Sequence, residues 1–171
     1  DSGPLRAGPS VNDFGTGMWT ALGVLAGLVR RGVSGKGCVI ETSLLETAVG
    51  WMGLHTANYL TDGNLPKRMG SGHPLICPYG AYEAADHPII IAIGSDSLFE
   101  RLAGALGRPE WAKNENYKTM PERLMHRGEV DAMVQKEIAK HPRAHWLETL
   151  AAAGVPCTPI QDLADICEDE Q

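Results

Sequence analysis

The first part of the chain contains two segments that are apolar on every side. One covers residues 17–29 and ends in Arg30-Arg31-Gly32, a basic last turn followed by a glycine that can cap a helix. The other covers residues 44–60. A helix that is apolar all round is buried all round. The pattern therefore predicts two long buried helices, Thr16–Arg31 and Leu44–Tyr59.

These two helices need a surface that covers them, because apolar patches of this extent mark interfaces. We favour either a further part of the same protein or an extensive subunit interface. The alternative is a helical hairpin that the second half of the chain itself covers. The chain opens at Asp1 rather than at a methionine, and it ends at Gln171 directly after a helical pattern. We therefore expect an internal-to-C-terminal fragment of a longer protein.

After these two segments the apolar residues recur in shorter patterns, which predict a small α+β domain. Gly80–Glu83 and Ile89–Ile93 alternate like paired strands with a turn between them. Further helical patterns and one proline-containing edge strand complete this domain. The expected helices are Asp96–Leu106, Pro121–Lys140, Arg143–Ala153 and Asp162–Cys167, and the expected edge strand is Val155–Ile160.

The stretch between the apolar helices and the hairpin is rich in glycine and proline, and we interpret Asp62–Pro78 as a long loop. A short strand, Cys38–Thr42, is also expected between the two apolar helices. The sequence then divides into two domains. Residues 1–74 hold a linker, the two helices and a glycine loop, and residues 75–171 form the α+β domain.

Composition excludes several classes of function. The 171 residues carry 15 Lys and Arg against 21 Asp and Glu, so the net charge of −6 argues against a nucleic-acid-binding protein. No apolar stretch is long and unbroken enough to span a bilayer. The four cysteines form no C-x-x-C pair, so a zinc ribbon or a thioredoxin-type site has no support. Scattered cysteines in a chain of this length fit a reducing compartment. We expect a cytoplasmic protein that binds neither nucleic acid nor a membrane.

A metal site has one weak candidate. His141 and His145 stand four residues apart, the spacing of a metal-binding pair on a helix face. Pro142 follows His141 directly, however, and proline at this point favours a helix start that leaves His141 outside. We therefore expect no metal.

Asp13 is the first candidate for chemistry. It lies just before a long apolar helix, where free backbone amides and the helix dipole favour an anion. Gly15 and Gly17 lack side chains, so a ligand has access to the backbone there. A carboxylate in this position can attack a reactive carbonyl, and the amides can stabilise the resulting oxyanion. The alternative, stronger on local physics alone, is that Asp13 is the N-cap of the helix; Thr16 could serve as the cap instead.

The second candidate is the run Gly70-Ser71-Gly72-His73. Two glycines beside a small hydroxyl make a narrow loop that could close over a site and exclude water. His73 could move a proton, although a single histidine in a loop is commonly a surface residue. The alternative is a flexible connector between the two domains.

The order of these motifs resembles the class III CoA-transferase family, which includes formyl-CoA transferase and carnitine CoA-transferase, with α-methylacyl-CoA racemase as a relative. The resemblance covers nearly the whole chain. It is carried by Asp13-Phe14-Gly15-Thr16-Gly17-Met18, Ser34-Gly35-Lys36-Gly37, Ile40–Ala48, Gly72-His73-Pro74 and Gly154–Ile160.

The resemblance implies a fold, a reaction and a partner. It implies part of an interlocked homodimer, without most of the Rossmann-like part that supplies most contacts to coenzyme A. It implies transfer of coenzyme A between an acyl-CoA and a small carboxylic acid, with Asp13 as the nucleophile and no cofactor beyond the CoA thioester substrate. The aspartate forms first a mixed anhydride and then an aspartyl-CoA thioester. Substrate contacts are expected at Gly70, Ser71, Gly72 and His73.

Two other functions stay open at this point. An acyl-CoA racemase would use Asp13 as one of two proton-transfer residues. The fragment alone could instead be a non-catalytic dimerisation and small-domain module, because it offers little surface for coenzyme A. We expect the isolated fragment to be inactive.

Overall fold

A computed structural model describes residues 6–169 of the chain. The chain forms two compact units that divide between Lys67 and Arg68. The sequence analysis placed this boundary between residues 74 and 75. The run Gly70–His73 consequently belongs to the second unit rather than the first.

The first unit is helical. Helix α1 covers Val11–Ser34, and two shorter helices follow, α2 over Leu44–Trp51 and α3 over Gly53–Asp62. Helix α1 is longer than predicted at both ends. It stops at Gly35, whose φ of +69° is the left-handed conformation that glycine adopts without strain, rather than at the predicted Gly32.

The second predicted helix is broken in two. The break lies at Met52, whose backbone N–H donates to the carbonyls of Ala48 at 3.3 Å and Val49 at 3.1 Å. Gly50 and Gly53 flank this point, and glycine weakens a helix interior by about 1 kcal/mol relative to alanine. The prediction of one continuous helix was wrong because the apolar pattern outweighed these two glycines.

The predicted strand Cys38–Thr42 was also wrong. The segment is irregular and pairs with no strand among residues 6–169. It lies along α1, where a Cβ atom on Gly23 would stand 2.7 Å from Cγ2 of Ile40. The segment therefore packs Ile40 and Cys38 against Gly23 and Gly27 of a helix instead of joining a sheet.

The apolar side chains of the first unit are exposed in this chain. Phe14 is 70% exposed, Val29 72% and Leu45 73%. Among the described residues of this unit, only Gly15 and Thr47 are buried. The expected burial of the two helices is thus not provided by the residues described here. An apolar surface of this extent is typical of an interface.

The second unit is built on a three-stranded antiparallel sheet. Strands β1, Tyr79–Glu83, and β2, Pro88–Ala92, form the predicted hairpin, with Gly80 opposite Ile91. Strand β3, Cys157–Pro159, pairs with the other side of β2. The strand order β1-β2-β3 leaves β3 at an edge, as Pro156 before it and Pro159 at its end predicted.

Helices pack beside this sheet around one apolar core. They are α4 over Asp96–Ala105, a 3-10 helix over Pro109–Lys113, α5 over Met120–Met125, α6 over Arg127–Ile138 and α7 over Arg143–Ala152. A last helix, α8 over Leu163–Glu168, buries none of its residues. The sequence analysis missed the 3-10 helix and merged α5 with α6. The chain breaks between them at His126, and Gly128 is the local signal of a weak helix there.

The core of the second unit contains a charged side chain. Arg123 on α5 is completely buried. Its guanidinium donates to the carbonyls of Cys77 and Tyr117 and to a carboxylate oxygen of Asp96, each at 2.8 Å. It also lies 4.4 Å from the centre of the Phe99 ring. These contacts tie α5, α4 and the segment before β1 together.

Candidate functional site

Asp13 is the third residue of α1, inside its first turn and exposed. The residue in the cap position is Ser10, which makes no side-chain capping bond. The N-cap alternative for Asp13 is therefore wrong. Asp13 belongs to the first turn of the helix, whose first backbone N–H groups have no partner within the helix and carry its positive dipole end.

Thr16 is not a cap either. Its hydroxyl lies 2.7 Å from the carbonyl of Asn12 and 2.8 Å from Oγ1 of Thr47 on α2. One turn further, the hydroxyl of Thr20 is 2.8 Å from that of Thr42. These bonds fix the amino-terminal half of α1 against α2 and the segment before it. Asp13 precedes Thr16 by three residues, so the two side chains are neighbours on the surface of the helix.

The two glycines near Asp13 have different surroundings. A Cβ atom on Gly15 would stand 3.1 Å from both Thr47 and Trp51, so glycine here allows close packing of α1 on α2. A Cβ atom on Gly17 would meet nothing within 4 Å. Gly15 thus serves the helix contact, and the backbone at Gly17 stays open to approach.

A cleft of about 300 Å³ lies beside this helix contact. Trp19 and Trp51 line it with their ring centres 6.4 Å apart, and Glu41 and Glu46 contribute carboxylates. Glu46 also closes a capping arrangement at the start of α2, where Ser43 accepts from its backbone N–H at 3.1 Å. The cleft places aromatic and acidic groups on the side of α1 that faces α2.

The run Gly70-Ser71-Gly72 is a tight turn in the second unit. Gly70 has a φ of +58°, in the left-handed region that favours glycine. The backbone N–H of Gly72 donates to the carbonyl of Met69 at 2.9 Å, and a Cβ atom on Gly72 would stand 3.0 Å from that oxygen. Both glycines are therefore required by the turn itself.

Ser71 connects this turn to the sheet. Its hydroxyl oxygen accepts from the backbone N–H of Ala81 in β1 at 2.8 Å. Because the oxygen is the acceptor, its proton remains available to donate elsewhere. The serine in the middle of the glycine turn thus has a structural bond and a free donor.

His73 is held by its ring and by its backbone. Its Nδ1 accepts from the backbone N–H of Leu75 at 3.1 Å, which leaves the ring proton of the neutral form on Nε2. The ring centre lies 5.3 Å from that of Tyr79. The carbonyl of His73 accepts from Nη2 of Arg127 at 2.7 Å.

A second cleft, of about 310 Å³, lies between the glycine turn, β1 and α6. Ser71 and Gly72 line one side, and Asp131 and Gln135 line the other. The hydroxyl of the buried Tyr82 donates to a carboxylate oxygen of Asp131 at 2.7 Å. Burial, together with this bond to an anion, raises the pKa of Tyr82.

The structure assembles the four residues of the second candidate, Gly70 to His73, into one connected turn. Asp13 lies in the first unit and this turn in the second. The sequence analysis missed the residues of α6 that face the turn, of which Asp131 and Gln135 line the cleft. Their four-residue spacing was the available signal, since it places them on one helix face.

Within residues 6–169 no group of three or more His, Cys, Asp or Glu side chains is arranged to hold a metal ion. The rings of His141 and His145 lie with their centres 4.3 Å apart and their planes tilted by 38°. None of the described helices combines the length and apolar character that crossing a membrane requires.

Comparison with known proteins gives a consistent result. The sequence model of CoA-transferase family III matches residues 1–171. The acetyl-CoA:oxalate CoA-transferase of Acetobacter aceti is 31% identical over 166 residues, which are 96% of this chain and 43% of that protein. The succinate–glutarate CoA-transferase of Agrobacterium fabrum is 33% identical over 171 residues, 100% of this chain and 43% of that protein. The chain thus spans less than half the length of these relatives.

Solved structures agree on the fold. A CAIB/BAIF family protein from Brucella suis is 34% identical, with a TM-score of 0.76 over 99% of this chain and 45% of that chain. A hypothetical protein from Mycobacterium tuberculosis has a TM-score of 0.85 at 20% identity, over 98% of this chain and 44% of that chain. At that identity the second likeness concerns the fold alone.

Proposed function

Because the chain belongs to CoA-transferase family III, we propose that the protein containing it transfers coenzyme A from an acyl-CoA to a small carboxylic acid, with Asp13 as the nucleophile. The observation that carries this proposal is the position of Asp13, exposed in the first turn of α1 beside backbone N–H groups that have no helical partner. The family's relatives named above act on acyl-CoA with oxalate, succinate or glutarate.

In the first half of the reaction, a carboxylate oxygen of Asp13 attacks the thioester carbonyl of the acyl-CoA. The carbon–sulfur bond breaks, coenzyme A leaves as the thiolate, and a mixed anhydride forms. The thiolate then attacks the Asp13 carbonyl of this anhydride. The donor acid leaves as its carboxylate, and Asp13 carries coenzyme A as a thioester.

In the second half, the acceptor carboxylate attacks the aspartyl-CoA carbonyl and expels the thiolate again. The thiolate attacks the acyl carbonyl of the acceptor in the new anhydride. Acceptor acyl-CoA is released and the Asp13 carboxylate is regenerated. No group outside the two substrates and Asp13 changes its bonds.

Helix α1 supports this chemistry electrostatically. Its positive end places partial positive charge near the carboxylate that acts as the nucleophile. Each attack creates a negative oxygen on a tetrahedral carbon, and backbone N–H groups at a helix start are suited to stabilise it. The open backbone at Gly17 leaves room on this part of the helix.

We further propose that the turn Gly70–His73 contacts the substrate. Its backbone is held within the second unit by the bonds of Ser71 to Ala81 and of His73 to Arg127.

The exposed apolar helices of the first unit support the proposal that a homodimer or a further part of the protein covers them. The four cysteines are free thiols, which supports a reducing, cytoplasmic location.

The test uses the full-length protein, succinyl-CoA as the donor, and oxalate or glutarate as acceptors. Hydroxylamine added during turnover converts an activated aspartyl group into a stable hydroxamate that mass spectrometry locates. We expect the label on Asp13 only when the acyl-CoA is present. The variant Asp13→Asn should lose on the order of 10³-fold or more in kcat, while Asp62→Asn, which removes a carboxylate in the same unit, should retain activity.

The same experiment also tests the alternative reaction. Turnover in heavy water reports exchange at the α-carbon of a 2-methylacyl-CoA. Deuterium uptake with an unmodified Asp13 would replace the transferase by a racemase. If Asp13 acquires no label and the α-carbon shows no exchange with any substrate of the panel, the proposal is wrong.

A further inference from the structure

Thr47 on α2 is buried, in a unit whose described side chains are mostly exposed. Its hydroxyl oxygen accepts from the hydroxyl of Thr16 on α1 at 2.8 Å. The Thr47 hydroxyl donates in turn to the carbonyl of Ser43, the residue that caps α2, at 3.1 Å. These bonds form a chain from α1 to the start of α2. A hydrogen bond that is shielded from water is electrostatically stronger than an exposed one.

The methyl group of Thr47 makes a second contact with α1. A Cβ atom on Gly15 would stand 3.1 Å from this methyl group and 3.1 Å from two atoms of the Trp51 ring. These distances are shorter than the optimal separation of carbon atoms, which is about 3.5–4.0 Å. The backbone of α1 therefore lies directly against α2 at this point, and the missing side chain of Gly15 is what permits the approach.

Both contacts are made just after Asp13 in the first unit. Gly15 and Thr16 follow it by two and three residues, and the side chain of Thr16 is a neighbour of Asp13 on the helix surface. Ser10, in the cap position, makes no side-chain capping bond. The support that fixes the start of α1 consequently comes from α2 rather than from a side-chain cap.

Resting on the function proposed above, we propose that Thr47 is a positioning residue: its two contacts hold the start of α1 against α2 and thereby fix the place from which the Asp13 carboxylate attacks. Thr47 does not touch the reacting atoms in this proposal. Displacing a reacting group by about 1 Å can cost about 100-fold in rate. A residue that only stabilised the fold would change the amount of folded protein, whereas a positioning residue changes the kcat of the folded molecules.

The first experiment measures Thr47→Val in the full-length protein. Valine keeps the shape of threonine without the hydroxyl, and the Ser43 carbonyl still accepts from the backbone N–H of residue 47 at 3.1 Å. We expect kcat per folded molecule to fall about 10-fold, with the KM for the acyl-CoA changed by less than about threefold. Thr47→Ser keeps the hydroxyl and should recover part of this loss. Thr61→Val is the matched control, because the hydroxyl of Thr61 bonds to the carbonyl of Ala57 within its own helix, and kcat should be unchanged.

Gly15→Ala tests the apolar contact independently. The new methyl group would press on Thr47 and Trp51, so we expect kcat to fall about 10-fold, whereas Gly32→Ala, with open space around it, should leave kcat unchanged. Adding Thr47→Ser to Gly15→Ala removes the methyl group that the new Cβ atom meets. The double variant should therefore recover part of the kcat that Gly15→Ala loses. Losses that simply add would contradict a direct contact between the two positions.

Hydrogen exchange measures the two contacts without any turnover. The backbone amides of residues 14–20 lie in α1, and we expect them to exchange at least about 10-fold faster in Thr47→Val and in Gly15→Ala than in the wild-type protein. Unchanged exchange in both variants would refute the support from α2, even if the protein is a transferase. Faster exchange with a wild-type kcat in both would refute the positioning role.

The two proposals fail in different ways. A wild-type protein that transfers no coenzyme A and labels no aspartate contradicts the proposed function, and with it the catalytic role of Thr47, while the exchange data still report the two contacts. Transfer with a wild-type kcat in Thr47→Val and Gly15→Ala overturns this inference and leaves the proposed function in place. If one of these two variants does not fold, the other decides.

Discussion

Replacing Arg123 by methionine removes the only fully buried charge among the described residues. Methionine keeps a similar length and an apolar stem, so the change deletes the guanidinium with little loss of volume. It leaves the carbonyls of Cys77 and Tyr117 without the donor that now lies 2.8 Å from each. It also leaves Asp96 without its ion-pair partner.

The three lost bonds are not equal. A hydrogen bond to a charged group contributes about 1.5–3 kcal/mol, and an unsatisfied buried acceptor costs about 1–3 kcal/mol. The carboxylate of Asp96 is 53% exposed, so water takes over its solvation and its share is small. The two buried carbonyls and the contact with Phe99 then dominate. We expect a loss of about 4 kcal/mol, mainly from the two hydrogen bonds that the charged donor makes to these buried carbonyls.

Native-state hydrogen exchange of the β2 amides measures the free energy of unfolding of this unit directly. Arg123→Lys keeps one charged donor nitrogen in place of three and should lose about 2 kcal/mol. Arg143→Met is the matched control, because that side chain makes a single 3.2 Å bond to Ile160 and its loss should cost less than about 0.5 kcal/mol. A loss below about 1 kcal/mol for Arg123→Met would refute the reasoning.

Two further predictions concern packing and pH. Gly23→Ala should destabilise α1 by about 1 kcal/mol, because the new methyl group would stand 2.7 Å from Ile40. Gly32→Ala is the control: the space around this glycine is open, so the substitution should be neutral or stabilising. Hydrogen-exchange rates of the α1 amides compare the two variants, and equal effects would refute the close contact. The hydrogen bond from Lys140 holds the pKa of Glu137 below its ordinary value of 4.5. The stabilisation that ionised Glu137 contributes is therefore complete above about pH 5 and is lost as the pH falls through the lowered pKa. The difference in unfolding free energy between wild type and Glu137→Gln should consequently shrink on acidification. A difference that grows would contradict the assignment.

The sequence by itself determined the local elements whose signals lie within a few residues. The hairpin β1–β2 followed from alternation around a proline-containing turn, and the edge position of β3 from the two prolines that flank and end it. The order of short motifs around Asp13, Gly72 and Gly154 indicated the family, which the comparison confirmed. In each case the information is contained in neighbouring side chains and their spacing.

Only the tertiary structure decided how these elements meet. Cys38–Thr42 has the composition of a strand, yet it packs on glycines of α1, because no partner strand reaches it among residues 6–169. Asp13 lies inside a helix whose start the polar residues before it did not reveal. The sequence around Arg123 and Arg127 does not distinguish the two arginines. Arg123 is buried and bonds to carbonyls 6 and 46 residues away, whereas Arg127 bonds to carbonyls 51 and 54 residues away. The reason is physical: the free energy of a buried or bridging charge depends on carbonyls that only the folded chain brings within hydrogen-bond distance.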